Sequence, residues 1–145
     1  MPDSRQQLLV AVDFSDQAPL VRDFAIDVAV KADYGILLTY VINEAAYHMP
    51  PDDPNLSRVI NDESDFAHHQ LEDFAQRAQK LGVDDCDIQV LYGNPKNIIV
   101  REAAKPLIHH VIIGAHGKHA VSDSVIGSTT DFVVYRSPKS VTVVK

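Results

Sequence analysis

The stretch "GAHGKHAVSDSVIGST", residues 114–129, closes the apolar run "VIIG" and leads into "DFVVYR". Gly114 and Gly117 remove side chains where the chain leaves a strand. Glycine there allows positive φ and lets amide N–H groups come close to a ligand. Gly127-Ser128-Thr129 then opens a helix. Helix N-termini carry unpaired N–H groups and a positive dipole end, so they attract phosphate. Ser128 and Thr129 add hydroxyl donors, and Lys118 adds a positive charge. The same residues also suit a plain turn, with Ser128 capping the helix and Asp131 completing a capping-box-like pair. Neither a Walker A motif nor a G-x-G-x-x-G fingerprint occurs in the chain, so generic physics leaves both readings open.

Working outward, apolar runs alternate with helical patterns. "LLVAV" (8–12), "ILLTYVI" (36–42) and "VIIG" (111–114) are continuous and β-branched, as in strands buried on both faces. "IQVLY" (88–92) alternates and reads as an edge strand, and "VTVV" (141–144) as a fifth strand. Between them, Val21, Phe24, Ala25, Val28 and Ala32 fall at helical spacing, with Ser15 or Asp16 as the cap and Pro19 in the first turn. Ala67, Leu71, Phe74, Ala78 and Leu81 form one apolar stripe that Gly82 ends. Asn94-Pro95 opens a short helix that Pro106 stops, and 129–136 forms the last one despite its β-branched "FVVY". The segment 43–57, with three prolines and no periodicity, reads as a mobile loop. The order β-α-β-α-β-α-β-α-β predicts an α/β fold: an open parallel sheet with helices on both faces. In such sheets ligands bind beyond the carboxyl ends of strands where the strand order reverses. Asp13 closes the first strand and Gly114 the fourth, so both would face one crevice if those strands are neighbours.

Composition bounds the rest. A chain of 145 residues with 46% apolar and 23% charged residues is one globular domain, 1–145. Thirteen basic and twenty acidic residues, net −7, argue against a general nucleic-acid or anionic-membrane surface. The lone Cys86 permits no internal disulfide and follows two aspartates, which makes a poor nucleophile. No signal-peptide or membrane-spanning run is read, so a cytoplasmic protein is expected. His68-His69 and His109-His110 are adjacent pairs that cannot share one helical or strand face, so no metal site is expected.

With those residues in view, the chain resembles the ATP-binding branch of the universal stress protein family. "GAHGKHAVSDSVIGST" is similar to that branch's G-x2-G-x9-G-[S/T] fingerprint. "LLVAVDFS", "TYVI", "GNPKNII" and "SPKSVTVV" resemble further family segments in the right order. The resemblance implies a Rossmann-like five-stranded parallel sheet of order 3-2-1-4-5. It implies that Asp13 and the backbone of Val41 hold the adenosine end, that Ile113 and Gly114 pass near the ribose and first phosphate, and that Gly117, Gly127, Ser128 and Thr129 bind the phosphates. ATP is the implied cofactor, with Mg2+ or Mn2+ arriving on its phosphates, and a homodimer through the C-terminal strand is the implied assembly. Phe14, Tyr40, Asp123 and Lys139-Ser140 depart from the family pattern. The expected role is a nucleotide-dependent regulator of the stress response, with at most slow ATP hydrolysis or self-phosphorylation. Two alternatives stand beside it: a nucleotide-free dimerisation module of the same fold, and a hydrolase or phosphotransferase using Asp13 and Ser128.

Overall fold

The computed structural model describes residues 5–117 and 126–145. Strand β1 (Gln7–Ala11) leads to helix α1 (Ala18–Ala32), β2 (Gly35–Ile42) and a short 3-10 turn (Glu44–Tyr47). There follow α2 (Pro54–Lys80), β3 (Cys86–Tyr92), α3 (Pro95–Ala103), β4 (Ile108–Gly114), α4 (Ser128–Arg136) and β5 (Val141–Val144). The strands form one parallel sheet of order β3-β2-β1-β4-β5. This is the Rossmann-like order expected, and it makes β1 and β4 neighbours.

Alternation along the strands builds the two faces. Leu8 and Val10 join Val21 and Ala25 of α1 and Leu71 and Phe74 of α2 on one face. Leu9 joins Ile99 and Ala103 of α3 and Val133 of α4 on the other. A strand buried on both sides has no polar face to show, which is why "LLVAV" reads as a continuous apolar run. Helix α1 differs from the expected stripe. Its buried residues are Val21, Ala25, Ile26 and Ala29, while Phe24 lies at its exposed edge.

Three expectations need correction. The segment 43–57 is not one loop, because it holds the 3-10 turn and the first turn of α2. Asp53 caps that helix by accepting from the amide of Asn55 at 2.9 Å, and Pro54 occupies the first helical position. The missing periodicity reflects an exposed first turn with little core to face. Helix α1 starts at Ala18 on Gln17 rather than on Ser15 or Asp16. Ser128 is the first residue of α4 rather than its cap, since Gly127 takes the cap position.

The His109-His110 pair also breaks the rule that neighbours face apart. The β1–β4 register slips between Gln7 and Leu8, which pair with Ile108 and His110. This irregularity brings the two Nδ1 atoms within 2.9 Å, and Tyr34 Oη lies 3.0 Å from His109 Nε2. A neutral chain satisfies all three groups: Tyr34 donates to His109, and His109 donates to His110. Burial, and then the neighbouring His109, hold the His110 pKa below its ordinary value. The folded state therefore binds fewer protons here than the unfolded chain does. Stability from this pair is full above about pH 6.5 and falls as pH drops below it. Thermal melts between pH 7.5 and 5.5 should show a loss of midpoint in the wild type that is smaller in His110→Gln.

Candidate functional site

The β1 and β4 carboxyl ends open into a cleft of about 640 Å³. This is within the size range of small-molecule sites. Its walls come from the ends of β1 and β2 (Val12, Asp13, Tyr40, Val41), the 3-10 turn (Ala46, Tyr47), and α2 (Glu63). Asn94 to Lys96 at the start of α3, Ile113, Gly114 and Gly117, and Gly127 to Thr130 also line it. Asp13, Val41, Ile113, Gly114, Gly117, Gly127, Ser128 and Thr129 thus line one cavity.

The glycines act by absence of volume rather than by unusual backbone. Positive φ occurs at Gly82 and Gly93, not at Gly114, Gly117 or Gly127. A β-carbon on Gly117 would sit 3.1 Å from the Asp13 carboxylate, and one on Gly114 would sit 3.2 Å from the Gln17 side chain. One on Gly127 would make ordinary contact, 3.5 Å from the Gly117 nitrogen. Close approach is needed because the loop after β4 packs directly on the start of α1: the amide of His116 donates to Gln17 Oε1 at 2.8 Å. The loop is also tied to α4. Gly127 donates to the Ala115 carbonyl at 2.8 Å, and Thr130 Oγ1 donates to the Gly114 carbonyl at 2.6 Å.

The start of α4 differs from those of α2 and α3. Asp53 caps α2, and Asn94 caps α3 by accepting from the amide of Lys96 at 3.1 Å. Gly127 offers α4 no side chain, and the first intrahelical bond is from Asp131 to Gly127. The first-turn amides of a helix have no intrahelical acceptor. Here the residues that carry them, Ser128, Thr129 and Thr130, line the cleft.

In the same cleft, Asp13 Oδ1 accepts the Ser15 amide at 3.0 Å, so the carboxylate is fixed in a turn. Phe14, between them, takes a left-handed backbone with φ of 57°. Its ring stacks on Tyr40 at 4.7 Å and meets Phe66 edge-on at 5.6 Å, so the large side chain is packed against both. Beyond the last β1 contact, where Val12 donates to Thr39 at 2.9 Å, alternation turns the peptide groups of Val41 to the same side. There β1 has already bent away at Asp13.

Sequence reasoning missed Glu63 and Tyr47. Tyr40 donates to Glu63 Oε2 at 2.7 Å, and Tyr47 donates to Glu63 Oε1. Burial and then the Glu63 bond push both phenols up, Tyr47 to about 12. No sequence signal marks Glu63, which looks like any acidic residue on the polar face of α2. Lys96, also missed, is the cation lining the cleft among the described residues. Lys118 and Asp123, named from the sequence, lie outside the described residues.

No hydrogen bond among the described residues joins Ser128, His116 and Asp13, and His116 Nδ1 is buried without a partner. No cluster of three or more His, Cys, Asp or Glu suited to a metal occurs among the described residues. The Cys86 thiol is pushed up to about 12, by burial first and by Asp87 and Asp85 second. No helix among the described residues is long and apolar enough to cross a membrane.

The fold and cleft define an open α/β domain with a ligand crevice at its topological switch point. The chain belongs to the universal stress protein family, whose family model matches residues 4–145. It is 26% identical over 141 residues to a putative universal stress protein of Staphylococcus haemolyticus, covering 97% of this chain and 84% of that one. Among solved structures it is similar to the universal stress protein UspA from Lactobacillus plantarum, with 30% identity, a TM-score of 0.89, and coverage of 97% and 98%. It shares the fold of the universal stress protein from Archaeoglobus fulgidus in complex with dAMP, with 18% identity, a TM-score of 0.68, and coverage of 99% and 100%.

Phe14 gives a direct test of the turn that carries Asp13. Left-handed backbone costs an alanine about 1 kcal/mol or more and glycine little. Both Phe14→Ala and Phe14→Gly lose the ring contacts. Urea unfolding should therefore find Phe14→Gly more stable than Phe14→Ala by about 1 kcal/mol, the reverse of their usual order.

Proposed function

We propose that the protein is an ATP-binding member of its family, a nucleotide-dependent regulator with at most slow ATP hydrolysis or self-phosphorylation. The observation that carries this reading is the start of α4, which has no capping side chain at Gly127 and lines the same cleft as Asp13. Unpaired amides and a helix dipole suit an anion, and a carboxylate suits hydroxyl donors. A nucleotide carries both. Ser128, Thr129 and the backbone at Gly117 and Gly127 would bind the phosphates, with Ile113 and Gly114 beside the ribose and first phosphate. Asp13 would accept from the ribose, and the Val41 backbone would meet the base. The dAMP complex of the Archaeoglobus fulgidus relative supports an adenine nucleotide. Bound Mg2+ or Mn2+ would offset phosphate charge. Among the described residues no hydrogen bond links Asp13 or Ser128 to a side chain suited to rapid proton transfer, which favours regulation over turnover.

The Gly127 geometry provides a clean variant. A β-carbon fits there, so Gly127→Glu should fold and place a carboxylate in the phosphate path. Calorimetric titration with ATP should show binding to the wild type and a loss of at least about tenfold in Gly127→Glu. Equal binding would sink the phosphate assignment. No binding by the wild type would favour the nucleotide-free module, and sustained turnover abolished by Asp13→Ala would favour the enzyme.

We further propose that the protein is a cytoplasmic homodimer paired through β5. This strand bonds β4 on one side and forms the sheet edge on the other. Ser140 and Val144 carbonyls face β4, so alternation turns the backbone of Val141 and Val143 outward. Lys139 does not guard that edge, because its ammonium donates to the carbonyls of Lys105 and Ile108 at 3.1 and 2.6 Å. An uncovered edge invites a second strand. Light scattering should give about twice the 16.0 kDa chain mass, and Val143→Pro, which removes an outward N–H, should give the monomer.

A further inference from the structure

We infer that Glu63 is a positioning residue that sets how long the cleft retains its ligand, by tying the Glu44–Tyr47 turn into the cleft wall. The inference rests on the nucleotide reading above.

The turn contributes Ala46 and Tyr47 to the cleft but holds itself weakly. None of its four residues is buried. Its backbone bonds, Ala46 to Asn43 at 3.1 Å and His48 to Ala45 at 3.2 Å, stay within the segment. Its place against the body of the domain therefore depends on the Tyr47 side chain. Tyr47 donates to one oxygen of Glu63 while Tyr40 donates to the other. Tyr40 is a fixed anchor, 5% exposed in β2 and stacked on Phe14. The order of dependence runs from Tyr40, which fixes the Glu63 carboxylate, to Glu63, which fixes Tyr47, and so to the turn.

Position gives this tie a consequence for ligand exchange. The wall it holds lines the same cleft as Asp13, and Phe14, next to Asp13 in the chain, stacks on Tyr40. A ligand leaving past Tyr47 must wait for the Tyr47–Glu63 bond to open. Hydrogen bonds to a charged group are the stronger ones, so opening is an infrequent event. Removing the hydroxyl lets the turn swing without disturbing Gly117, Gly127 or Ser128.

The test uses the full-length wild type, Tyr47→Phe, Glu63→Gln and the double variant, with a fluorescent N-methylanthraniloyl ATP as probe and excess ATP as chaser. Each single variant should release the probe roughly tenfold faster, with association changed far less, and the double variant should be no faster than either single one. Amide hydrogen exchange on the ligand-free proteins should rise at 44–48 in both singles, while the thermal midpoint stays near that of the wild type. Probe release from Tyr47→Phe at the wild-type rate would overturn the inference. If the wild type binds no probe, the nucleotide reading fails on its own. Exchange at 44–48 then decides the tie: a rise in Tyr47→Phe supports it, and no rise overturns it.

Discussion

The parallel pairing of β1 with β4 is the constraint on which everything else rests. Two strands about 100 residues apart in sequence become neighbours, and the chain must leave them toward opposite faces of the sheet. Helix α1 covers one face after β1, and α4 covers the other after β4. A crevice is the unavoidable result, because no element crosses the point where the two exits diverge. Asp13 and Gly114 sit at that point because each is where its strand stops. The site follows from the topology before any side chain is considered.

The loop after β4 shows how the crevice is kept open. Its glycines do not buy unusual torsion angles. They let backbone lie against backbone and against Asp13 and Gln17. The Thr130 hydroxyl and the Gly127 amide then fix the start of α4 relative to the end of β4. The residues that carry the first-turn amides of α4 line the cavity and Gly127 gives them no capping side chain, in contrast to α2 and α3, which satisfy one of theirs with such a side chain. An uncapped terminus costs stability unless water or a ligand takes its donors. The proposed nucleotide would offset that cost.

The strands were legible because burial on both faces leaves a strong signature, continuous apolar runs in 8–12, 36–42 and 111–114, whereas their order in the sheet followed only from the family resemblance. The eight residues named from the family resemblance line one cavity, since most of them lie at strand ends and a helix start. What the sequence hid was set by contacts with no period. The first turn of α2 has too little core to face, so the capping by Asp53 was passed over among prolines. The His109-His110 contact depends on a one-residue slip in strand pairing, which nothing local announces. Glu63 depends on where a long helix passes a tyrosine 23 residues earlier in the chain.

The buried polar groups divide in a way that bears on mechanism. Glu102 is buried on α3, and desolvation pushes its carboxyl up, but hydrogen bonds from Lys105 and Gln89 outweigh this and leave it below the ordinary range. Gln89 also reaches Thr39, so this network joins α3 to β2 and β3 beneath the cleft floor. Its carboxylate is paired within the protein by Gln89 and Lys105. Glu63 is different. It receives two phenols from the cavity wall, one anchored in the sheet and one carried by a turn with no buried residue. Rigid polar contacts below the floor and a single side-chain tie at the rim divide the site into a part that holds its shape and a part that can move. That division suits a protein whose output depends on whether a ligand is present, because occupancy can then be communicated through the rim while the fold stays unchanged.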